Sequence, residues 1–166
     1  MLEAIDLSVG IFARGLTNLR GMLAKAEAHA SSHAIEPSSL LTAQLADGMY
    51  DLAVQVHWSC EGAKLAVHRL LDTTATPAAA DAKSFDELYQ RIDSALAFLG
   101  AVEPAALEAG LARTIEMSHR GGSKAFRGDR FLAEFALPSF FFHLTTAYGI
   151  LRHQGVPLQK GDFLGG

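Results

Sequence analysis

The chain has 166 residues, 49% of them hydrophobic and 19% charged, which is enough apolar surface for one buried core and too little net charge for a disordered segment. With 14 basic against 18 acidic residues and a net charge of -4, it has no cationic excess for phosphates, so nucleic acid is not an expected partner. The single cysteine, Cys60, excludes an internal disulfide and any multi-cysteine zinc or iron–sulfur site.

The opening Met1-Leu-Glu-Ala-Ile-Asp6 is acidic where a signal peptide needs a basic region. The most apolar stretch, residues 131–151, is interrupted by Glu134, Pro138, Ser139 and His143, so no membrane span is expected. The expectation is a cytoplasmic protein without membrane contact.

In chain order, the first predicted helix covers residues 2–30. Ile5, Val9, Phe12, Leu16, Leu19 and Leu23 recur there at steps of three and four. Ser31-Ser-His-Ala interrupts it, and Pro37 opens a short further turn of helix. A second helix is predicted over 48–71, with Met49, Leu52, Val56, Cys60, Ala63, Val67 and Leu70 as its stripe. Pro77 and the surrounding alanines make 72–82 a loop. Ser84-Phe-Asp-Glu87 fits a capping box, in which the two side chains satisfy each other's backbone donors. The third helix then runs to about residue 99, with Phe85, Leu88, Ile92, Ala95, Leu96 and Leu99 inward and Gly100 as its stop.

Residues 114–118 alternate in the manner of a strand, Arg120-Gly-Gly-Ser123 reads as a tight turn, and 124–127 as a return strand. Asp129 is placed to cap a fourth helix over 130–153, with Gly155 and Pro157 beyond its end. The tail 156–166 is expected to be extended. The whole is one all-α domain, residues 1–166, an up-down four-helix bundle with a small β-hairpin between helices 3 and 4. The connections 31–47 and 101–128 exceed the two to eight residues usual in bundles, so crossovers or functional decoration are expected there.

The fourth helix carries the most chemistry. At about 100° per residue, Leu132, Ala136, Ser139, Ala147 and Ile150 fall within about 40° of His143. Ser139 and His143 are thereby expected in the middle of the apolar stripe, one turn apart, forming a small polar pocket. An inward histidine is ordinarily satisfied by a hydrogen-bonding neighbour. Pro138 removes a backbone donor and should kink the helix beside Ser139. On the second helix, His57 and Glu61 lie about 100° and 140° from Val56, on the flank. His57, Glu61 and His143 together are acceptable ligands for zinc, nickel, iron or manganese. Ser139 as a nucleophile would lack a third group to orient its base. Cys60 reads as inert core. In Phe140-Phe-Phe142, Phe141 lies nearly opposite His143, covered by the hairpin or a loop, or part of a subunit interface.

The stretch from His143 through Gly155-Val-Pro, followed by Asp162-Phe163, resembles the C-terminal signature of the DinB/YfiT-like superfamily. Residues 135–143, Ile11-Phe-x-Arg-Gly-Leu-x-Asn18 and Lys25-Ala-Glu-Ala-His29 are similar to a bacterial domain-of-unknown-function branch within it. The resemblance implies a four-helix bundle, often dimeric. Metal-binding relatives hold a divalent ion with three histidines, one from the second helix and two from the fourth, and some are hydrolases or thiol-dependent transferases. Aligned on Gly155, the pair falls on Ser139 and His143, and the second-helix ligand near His57, so one histidine of the three is replaced.

Two readings follow. One is a divalent-metal enzyme using a modified His57, Glu61 and His143 site. The other, favoured because a lost histidine removes much of the metal affinity, is a non-catalytic helical homodimer. Its former site would have become a small polar pocket, at Ser139 and His143, for a small-molecule ligand or a partner.

Overall fold

The protein is described here by a computed structural model covering residues 2–119 and 122–165. In chain order it comprises α1 (Val9–Ser32), α2 (Pro37–Leu41), α3 (Leu52–Leu71), α4 (Phe85–Gly100), α5 (Pro104–Leu111), β1 (Thr114–His119), β2 (Gly122–Arg127), α6 (Gly128–Phe131), a π-helical turn (Leu132–Ala136), α7 (Leu137–His153) and α8 (Lys160–Leu164). The long helices α1, α3, α4 and α7 form a four-helix bundle. α1 and α3 each pack against both α4 and α7. α4 and α7 lie across from one another, so the connection 101–127 that joins them is the expected crossover. Among the described residues no single helix is long and apolar enough to cross a membrane.

The periodic residues form the core. Phe12, Leu16, Leu19 and Leu23 of α1 are fully buried, with Leu52, Val56, Val67 and Leu70 of α3, Leu88 and Ile92 of α4, and Ile150 of α7. Each such side chain contributes about 1.5–3 kcal/mol of transfer free energy. Phe12 meets Phe140 edge-on at 5.0 Å, tying α1 to α7.

Several element ends differ from the sequence reading. Helix α1 starts at Val9, because residues 4–8 form turns in which Gly10 N–H reaches the Ile5 carbonyl. Helix α3 starts at Leu52, where the Asp51 carboxylate accepts from Val54 N–H at 2.9 Å. Ser84 caps α4 as expected, but the Glu87 carboxylate accepts from Lys83 N–H rather than from Ser84. Asp129 does not cap the fourth helix; Arg127 holds that position, and Asp129 sits in the first turn paired with Arg127. The tail is not extended throughout. Gln159 and Asp162 make a capping box for α8, which Lys25–Asp162 and Asn18 to the Phe163 carbonyl fasten onto α1.

The hairpin is antiparallel, with Thr114 opposite Arg127 and Ile115 opposite Phe126. The expected turn at Arg120 and Gly121 lies outside the described residues. At the hairpin's base the backbones of α3, α5 and α6 stack without side chains between them. A Cβ on Gly110 would lie 2.2 Å from the Leu70 carbonyl oxygen, and one on Gly128 2.2 Å from that of Gly110.

Candidate functional site

Sequence reasoning placed His57 and Glu61 on the flank of α3, and both are in fact buried. The cause is tertiary. The segment 72–83 folds back over this flank, and Ala78 N–H donates to Glu61 Oε2 at 3.3 Å. Lys64 pairs with Glu61 at 2.6 Å and Arg91 with Asp81 at 2.6 Å. The other arm of the Arg91 guanidinium lies 3.2 Å from His57 Nδ1. A guanidinium only donates, so Nδ1 accepts and Nε2 carries the proton of the neutral ring. Burial pushes the His57 pKa below its ordinary value. Arg91 and Lys64 act in the same direction, and Glu61 and Asp81 oppose them. Beside this cluster opens a cavity of about 570 Å³ between α3 and α4. Its walls carry three cations, Lys64, Lys83 and Arg91, against three anions, Glu61, Asp81 and Glu87. Burial raises the Cys60 thiol pKa to about 12, with Glu61 adding to it, so the thiol is protonated and inert, in line with its place in the core stripe.

His143 lies on the other side of α3. Its Nδ1 is 2.8 Å from Gln55 Oε1, and Gln55 Nε2 donates to the Tyr50 carbonyl at 3.1 Å. The carbonyl fixes the amide orientation, so His143 donates from Nδ1 and its Nε2 is left bare. Burial lowers the His143 pKa.

Ser139 and His143 are only half-buried, at the edge of the stripe and not in its middle. The π-helical turn explains the difference. Its i→i+5 bonding inserts one residue, rotating everything before it by about 100° relative to α7. The inward line therefore runs Leu132, Ala136, Phe140, Leu144, Ala147 and Leu151. The turn also absorbs Pro138, which falls in the first turn of α7, so the expected irregularity lies just before Ser139.

Gln55 and His57 are two residues apart, about 200° around α3. His143 thus meets the α7-facing side of α3, while His57 and Glu61 face α4. The three expected ligands fall into two groups, and among the described residues no three His, Cys, Asp or Glu side chains are placed to hold a metal ion. The His57 nitrogen with a free lone pair is already engaged by a cation. As arranged, these residues do not fit a resident divalent ion.

Ser139 lines a separate groove of about 180 Å³, which His143 does not reach. Trp58, Gly62 and Arg69 supply one wall from a single face of α3. Phe131 and Phe135 stand in the opposite wall beside Ser139, their rings stacked at 5.8 Å. Met117 of the hairpin closes one side. Within the aromatic run, Phe140 is buried, while Phe141 is 37% exposed and lines a small cavity together with Ile11, Phe163 and Leu164. Phe142 is the most open of the three, at 56% exposure.

The sequence matches the family described as a Domain of unknown function (DUF1993) over residues 5–164. The chain belongs to the DUF1993 family. The crystal structure of a DinB family member from Shewanella denitrificans matches it with a TM-score of 0.90 and 38% identity, covering 98% of this chain and 92% of that chain. The DUF1993 chain is therefore a DinB-like bundle, as its C-terminal signature implied. Among curated proteins, none matches the sequence.

Four side chains that shape these sites in the DUF1993 chain escaped sequence reasoning: Gln55, Trp58, Arg69 and Arg91. Gln55 and Arg91 each directly precede a core residue, Val56 and Ile92. That position beside the apolar stripe is the signal that marks a polar side chain on a half-buried flank.

Proposed function

We propose that this DUF1993 protein is a non-catalytic, homodimeric bundle whose former metal position has been given over to binding a small molecule in the groove at Ser139. One observation carries the reading. Arg91 donates to His57 and Gln55 accepts from His143, on sides of α3 about 200° apart, so the ligand positions implied by the metal-binding relatives are held apart, with the His57 lone pair already engaged. A guanidinium occupies the place where an ion would meet His57. The groove at Ser139 has no such internal partner. The Ser139 hydroxyl makes no hydrogen bond among the described residues, and the π-helical turn beside it is a feature often found at binding sites.

The homodimer part rests on exposed apolar residues around the Gln55–His143 pair. Phe142 stands edge-on to His143 at 5.3 Å, Tyr50 provides the carbonyl that holds Gln55, and Leu45 lies across Gly149 of α7. All three are largely exposed. Such a patch suits burial against a second copy.

The test is elemental analysis of untagged protein after growth with mixed divalent metals. Below about a tenth of an equivalent of zinc, nickel, iron or manganese is expected. Near one equivalent per chain, lost in His143→Ala, would overturn the reading in favour of a metal-dependent hydrolase or thiol-dependent transferase using His57, Glu61 and His143.

A further inference from the structure

The groove at Ser139 also has a chemical character. Resting on the reading that this groove is the ligand site, we infer that it selects a small aryl carboxylate, one aromatic ring on a short acidic stem. Four observations lead there. The first is size. A cavity of about 150 Å³ accepts one benzene ring, so about 180 Å³ takes a ring and little more. The second is the walls. The exposed Phe135 ring, backed by the buried Phe131, and the half-buried Trp58 indole present flat π surfaces, and Met117 offers a polarisable edge. The third is charge. Arg69 is the one charged side chain among the described residues lining the groove, and among the described residues it makes no ion pair. The α3–α4 cavity differs in this respect, because its cations and anions balance. An arginine fork beside an apolar slot matches a carboxylate in two parallel hydrogen bonds. The fourth is room. A Cβ on Gly62 would have nothing within 4 Å, so the α3 wall is open between Trp58 and Arg69. Ser139 is left to hydrogen-bond the ligand's polar end.

Trp58 is the chain's single tryptophan, so its fluorescence reports on this groove alone. The experiment titrates the full-length protein with 3-phenylpropanoate and, separately, with the uncharged 3-phenylpropan-1-ol. Saturable change in Trp58 emission is expected with both, the acid binding about tenfold tighter or better. Arg69→Gln should remove that preference while leaving the alcohol's affinity unchanged. Gly62→Leu should fill the groove and abolish both responses, with helix content retained by circular dichroism. Equal affinity for acid and alcohol, or an acid preference that survives Arg69→Gln, would overturn the carboxylate inference while leaving the groove as a ligand site. No saturable response to either probe up to about 10 mM, or binding that survives Gly62→Leu, would overturn the groove itself.

Discussion

His143 and Gln55 form a side-chain bridge between α7 and α3, with His143 Nδ1 2.8 Å from Gln55 Oε1. Gln55 is buried and both ends of its amide are engaged, the oxygen accepting from His143 and the nitrogen donating to the Tyr50 carbonyl. Removing either partner strands the other, at about 1–3 kcal/mol. Gln55→Ala and His143→Ala should therefore each lower the urea midpoint. The double variant should lose less than the sum of the two, by about 0.5 kcal/mol or more. Strictly additive losses would show that the bridge does not couple the helices.

His57 and His143 make the fold sensitive to mild acid. An unfolded histidine titrates near 6.5, and burial holds both below that value in the folded chain. As pH falls, the unfolded state takes up protons first. The stability from keeping these rings neutral is complete above about 6.5 and is lost as pH drops from there through the folded pKa values. Around His57, Arg91 and Lys64 deepen the effect, and Glu61 and Asp81 moderate it. Urea midpoints should fall between about pH 7.5 and about pH 5.5, and fall less in His57→Gln. A midpoint that rises over this interval would contradict the burial argument.

Much of this arrangement was legible in the sequence, and the exceptions share a cause. The α1 stripe Phe12, Leu16, Leu19 and Leu23 and the hairpin strands follow from local periodicity, which survives into the fold. The burial of His57 and Glu61 depends on where the segment 72–83 lies, a contact across 17 residues from Ala78 to Glu61 that no helical period encodes. The π-helical turn shifted the expected centre of the α7 stripe, because one inserted residue leaves composition unchanged while rotating the face. Ser139 was expected to share a pocket with His143, but it lines a groove with Trp58 and Arg69 that His143 does not reach.

The close stack of Leu70, Gly110 and Gly128 fastens the crossover to the end of α3. A methyl group at Gly110 would meet the Leu70 carbonyl at 2.2 Å, backbone against side chain, with no flexible atom to move aside. Gly110→Ala and Gly128→Ala should each destabilise by about 1–3 kcal/mol or more, read as a lower melting temperature. Gly21→Ala is the control, since a Cβ there has nothing within 4 Å and the helix gains propensity. Equal melting temperatures for all three variants would refute the close packing.

The proposed homodimer can be tested at the aromatic run, where Phe142 is more exposed than Phe141. Phe141 lines a small cavity on the α1 and α8 side of α7, whereas the more exposed Phe142 stands edge-on to His143 of the Gln55–His143 bridge. A carboxylate at position 142 would have to be desolvated in the interface, at about several kcal/mol if unpaired. Light scattering should give twice the 17.7 kDa chain mass for the wild type and a single chain mass for Phe142→Glu. Phe141→Glu should leave the mass doubled, because that ring faces the α1 and α8 side of α7 rather than the Tyr50 side. A wild-type mass of one chain would remove the dimer from the proposal. A doubled mass in Phe142→Glu would keep the dimer but move its interface away from the Tyr50 side, and monomers from Phe141→Glu alone would place it over α8.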